Sequence, residues 1–116
     1  MPRKVVQLDE YTVGEKPRPL LVQFDDSDID LSAYSLAATL EAGDGTEETF
    51  TGTVEWHDAS KGHVILVLSD DDLALAEGVD FDEKRLMVWT GNGTYRVATV
   101  LLLIPVYRGV GTVPDV

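Results

Sequence analysis

The chain of 116 residues contains no cysteine. No disulfide and no thiolate metal site can form, and passage through an oxidising compartment gains no support. Basic residues are scarce, nine against 21 acidic ones, for a net charge of −12. Between Asp25 and Glu83 the only base is Lys61. A surface of that sign repels DNA, RNA and anionic lipid, so nucleic acid and membrane are not expected as partners. Long apolar runs are missing too: a run such as Val100 to Ile104 is far too short to span a bilayer. The opening residues, MPRKVVQLDE, turn acidic before any apolar run develops, unlike a signal peptide. There is no Gly-x-Ser-x-Gly, and no serine lies near a histidine except Ser60. With nucleophile-activating residues so sparse, neither an enzyme nor a cofactor is expected.

What is present reads as a globular β domain. Apolar residues make up 44% and charged residues 26%, too apolar for a disordered chain. Short apolar runs alternate with turn signals. Strands are predicted over residues 5–8, 20–24, 35–41, 49–57, 63–68, 85–90 and 94–104. Pro17 and Pro19 exclude YTVGEKPRP from a central strand, because proline cannot donate to a ladder. Asn92-Gly93 marks a hairpin turn. In SDDDLALAEG, Ser69 and Asp72 have capping-box spacing and Gly78 can close about two turns of helix. The pattern predicts an all-β fold, an immunoglobulin-like antiparallel β-sandwich of about seven strands with one short helical connection. A small barrel is the alternative. Residues 1–18 form an N-terminal arm and first strand, 19–105 the sandwich, and 106–116 an extended tail.

Four features bear on function. In DDSDID (25–30), Asp26, Asp28 and Asp30 alternate as at the start of a calcium loop. An EF-hand starting at Asp26 would need Gly at Leu31 and Glu at Ala37, so it is not an EF-hand. The acids either cap their own turn or form a less formal calcium site. In HDASKGH, His57, His63 and Asp58 could hold zinc only with a further ligand or a shaped pocket. Trp56 and Trp89 fall in strand patterns and fit a core, whereas an exposed pair would suit a sugar platform. The last strand, TYRVATVLLLI, becomes apolar on both faces in its second half. A sheet with one wet face should alternate, so either another part of the chain or another subunit covers the second face. Val100, Leu102, Ile104, Tyr107 and Val110 are the expected interface residues.

The order of pieces has a parallel. GEKP (14–17) leads into PLLVQF, and an acidic turn ends in Asp-Leu-Ser-Ala-Tyr (30–34) before a strand. A strand of His-Val-x-Leu type (63–66) precedes Ser-Asp-Asp-Asp-Leu and Gly78. This arrangement, over roughly residues 14–104, resembles the immunoglobulin-like sandwich domains of tailed-phage virion proteins, such as the upper baseplate protein N-terminal domain family. Ile29 and Asp30 replace the Gly turn usual before Asp-Leu in that family. The resemblance implies a non-enzymatic structural component of a virion: a tail, neck or baseplate piece, or a capsid decoration. It would be made in the host cytoplasm and would assemble with other virion proteins and with copies of itself. The alternative is a carbohydrate- or calcium-binding β-sandwich module.

Overall fold

A computed structural model describes residues 4–23 and 31–116. These fold into nine strands arranged as two sheets. The large sheet has the order β1 (Lys4–Gln7), β9 (Arg96–Tyr107), β8 (Phe81–Gly91), β4 (Ser35–Glu41), β5 (Glu47–Glu48), with β2 (Tyr11–Thr12) also on β9. The small sheet has the order β3 (Leu20–Gln23), β7 (His63–Val67), β6 (Thr53–Asp58). The two sheets pack as a sandwich, so the all-β expectation holds. The antiparallel pattern has one departure: β1 and β2 both run parallel to β9.

The core lies between the sheets. Leu86, Val88, Val100, Leu102 and Ile104 of the large sheet meet Val22, Val64 and Leu66 of the small one. Alternation puts every second residue of β8 and β9 on this inner face. One irregularity interrupts the pattern. Trp89 pairs with Ala98 and Val88 with Val100, so Thr99 is an extra residue on β9. Both Thr99 and Val100 are buried, as a β-bulge allows. Thr99 Oγ1 donates to the Val88 carbonyl at 2.9 Å, satisfying the polar group it brings inside.

This bulge bears directly on the expected interface. Val100, Leu102 and Ile104 are each 0% exposed. They face the small sheet, not solvent, and so form the middle of the core rather than the expected outward interface. The apolar residues on the other face are Leu101 and Leu103.

Two local expectations also change. The predicted helix over 69–78 shortens to a 3-10 turn at Asp71–Leu73. The capping box forms: Asp72 N–H donates to Ser69 Oγ at 3.2 Å and Ser69 N–H to the Asp72 carboxylate at 2.9 Å. Asp72 also takes the Thr51 N–H at 2.8 Å, which ties the turn to the neighbouring loop, and Ala74 is already extended. The last strand, in turn, runs past Pro105 to Tyr107. Pro105 falls between the stretch of β9 paired with β1, which ends at Leu103, and that paired with β2, which starts at Val106. A residue without an N–H is tolerated in such a gap.

Candidate functional site

The outer face of the large sheet carries a strip of apolar side chains, some exposed and some half-buried. Its side chains form cross-strand rows, the unit by which sheet surfaces interact. One row runs Val5, Leu101, Met87, Thr39. The next runs Gln7, Leu103, Arg85, Glu41, Glu47. Toward one end Phe81 and Tyr107 pair with ring centroids 4.5 Å apart. Val5 is 57% exposed, and Phe81 and Tyr107 are exposed as well. The strip follows from the bulge: the extra residue at Thr99 sends Leu101 and Leu103 outward. Signals for it existed in LLLI, where two faces of one strand are apolar, but strand period alone could not say which face was inner.

Charge on this face is nearly balanced. Arg85 and Arg96 offset Glu41, Glu47 and Glu83, while the whole chain stands at −12. Arg85 Nη2 reaches Glu41 Oε1 at 2.7 Å across the β8–β4 pair. Both groups are substantially exposed, so the pair contributes little to stability.

Tyr107, from the expected interface, is thus on the outer face, and Val110 is fully exposed in the tail. The structure places Val100, Leu102 and Ile104 elsewhere, as above. Asp26, Asp28 and Asp30 lie outside the described residues. His57 is exposed beside a register shift in β6, and it is Asp58 that pairs with His63. Asp58 accepts from Ser60 Oγ at 2.7 Å, and this bond, helped by Lys61, holds its carboxyl below the usual aspartate range. No cluster of three His, Asp or Glu suited to a metal occurs among the described residues.

The two tryptophans divide. Trp56 packs against the core, its Nε1–H donating to the Tyr34 carbonyl at 2.9 Å. Trp89 faces the other way, on the outer side of the large sheet, and its Nε1–H donates to Thr39 Oγ1 at 3.1 Å. The expectation of two core tryptophans therefore holds for one.

Burial pushes the Tyr11 hydroxyl up, with Glu15 and Asp9 adding to the effect. Thr46 holds the Asp44 carboxyl low by hydrogen bonding. Tyr11, Asp44 and Asp58 sit on separate elements and form no acid–base couple. No helix among the described residues is long and apolar enough to cross a membrane. No protein-family model matches the chain, and no curated protein matches it.

Proposed function

We propose that this chain is a non-enzymatic structural component of a tailed-phage virion, acting through assembly with copies of itself and with other virion proteins. The observation that carries the assembly reading is the outer strip of Val5, Met87, Leu101 and Leu103, with the Phe81–Tyr107 pair beyond the Glu83–Pro105 row on the same face. A contiguous apolar face rimmed by polar groups marks a surface that another protein covers. Near-neutrality lets two acidic molecules meet at this face with little repulsion. The virion setting comes from the order of strand and turn motifs between residues 14 and 104.

Quantitative mass spectrometry of purified particles tests the setting. A fixed ratio of this chain to a known ring or shell protein is expected, and its absence from intact particles would overturn the virion reading. Sedimentation of the isolated protein tests the surface. Self-association or binding to a virion protein is expected to disappear in Leu103→Asp, and persistence in that variant places the contact elsewhere.

A further inference from the structure

Trp89 stands in the second strand of the β9-β8-β4 segment with an alanine on either side. Ala37 of β4 and Ala98 of β9 are its cross-strand partners. Neighbours in such a row normally cover part of a large ring. Two methyl groups leave room beside it, and the indole lies half-buried on the outer face. Its one polar atom is already committed, through the 3.1 Å bond to Thr39 Oγ1. The ring is therefore held in place and has only apolar surface left to offer.

A shallow hollow of about 610 Å³ adjoins it, lined by Ala33, Ser35, Ala37, Trp89, Asn92 and Arg96 among others. Small residues make the space; three groups give it chemistry. Asn92 Oδ1 accepts from Thr94 N–H at 2.9 Å and Tyr95 N–H at 2.8 Å, which fixes the amide. Its Nδ2 has no acceptor among the described residues. Ser35 adds an exposed hydroxyl. Among the described residues Arg96 is the only charged one lining the hollow, and no carboxylate among them pairs with it. In a chain with 21 acidic residues, a guanidinium with no carboxylate among the described residues bonded to it stands out.

We propose that this hollow binds a carboxylate-bearing sugar. The C–H face of a pyranose ring stacks on Trp89, the ring hydroxyls bond to Asn92 Nδ2 and Ser35 Oγ, and the carboxylate pairs with Arg96. An aromatic plane beside fixed polar groups suits a ligand with one apolar face and a polar edge. A wholly apolar ligand would strip water from Asn92 and Arg96 and return no hydrogen bond. The guanidinium selects a carboxylate through paired, charge-assisted bonds. Charge complementarity is local, since the rest of this acidic surface repels anions and the hollow does not.

The inference does not rest on the assembly reading. The test is an array of carboxylated and neutral glycans, with acidic peptides alongside, followed by calorimetry on the best-retained carboxylated glycan and its neutral counterpart. Carboxylated glycans are expected to be retained, with the neutral counterpart about tenfold weaker, as loss of a charge-assisted contact implies. Trp89→Ala should abolish binding and Trp89→Phe keep part of it. Arg96→Gln should bring the carboxylated glycan down to the level of the neutral one. Melting curves establish that each variant is folded. Retention of no carboxylated glycan, retention of acidic peptides alone, or unaltered binding in Trp89→Ala would each overturn the proposal.

Discussion

Lys84 Nζ lies 2.7 Å from Glu48 Oε1, with the lysine side chain 2% exposed and the glutamate 34%. The contact joins the inner face of β8 to the two-residue strand β5. A lysine drawn that far inside needs its partner more than the partner needs it. Glu48→Ala is expected to cost about 3 kcal/mol, because it strands a buried ammonium. Lys84→Met keeps the stem and removes the charge, and should come within about 1 kcal/mol of the parent. Urea denaturation reads both; equal midpoints for Glu48→Ala and the parent would show that the ammonium finds water instead.

Asp72 is the second polar group buried at the sandwich edge, 1% exposed and accepting from the Thr51 and Ser69 amides. Asp72→Ala removes the acceptor from two N–H groups at once, and a loss of about 3 kcal/mol is expected. Asp72→Asn, which keeps one acceptor oxygen, should recover part of this. Hydrogen exchange at the Thr51 amide should rise in Asp72→Ala by the same factor as global unfolding or more. An unchanged rate would mean that this bond contributes nothing.

Adjacent leucines on β9 should respond in opposite ways to the same substitution. Leu102→Asp places a carboxylate with no partner in a site that is 0% exposed, and no folded protein is expected. Leu103→Asp alters only the outer face, and its melting temperature should stay within a few degrees of the parent while assembly is lost. Circular dichroism separates the two cases, and a folded Leu102→Asp would put the assigned strand face in doubt.

Asp44, in the turn between β4 and β5, is held below the ordinary aspartate range by Thr46. A lowered folded value means that this group favours folding above the ordinary value of about 4, and that the contribution fades as pH falls through the lowered one. The group is fully exposed, so the visible consequence is its titration rather than the stability of the whole protein. In a carbon-detected NMR titration the Asp44 midpoint should lie below that of a peptide aspartate, and Thr46→Ala should raise it. Identical midpoints in both proteins would remove the Thr46 hydroxyl as a cause and leave the backbone N–H at 2.9 Å.

Much of the architecture was legible because local signals agreed with the final sheet. The strand over 35–41 was read to its limits, and Asn92-Gly93 does turn the β8–β9 hairpin. What escaped was non-local. Nothing near Val5 announces a parallel partner nearly a hundred residues on. Nothing in TYRVATV announces the extra residue at Thr99 that decides which leucines face inward. The 69–78 segment has helical composition, but the Asp72 carboxylate serves the Thr51 amide, and the chain becomes extended after one turn. The row Ala37, Trp89, Ala98 becomes visible only once the register on both sides of β8 is known.

The parallel pairing of β1 with β9 gives the domain a mechanical character. The first described strand and the last lie side by side and point the same way, from Lys4 beside Val100 to Gln7 beside Leu103. A pull that draws Lys4 and Arg108 apart acts along both strands in opposite senses. Their hydrogen bonds then bear the load together, in shear, rather than opening one after another like a zip. The arrangement should resist tension applied through the two ends of the chain far better than tension applied across the Asn92-Gly93 hairpin, whose antiparallel strands can peel.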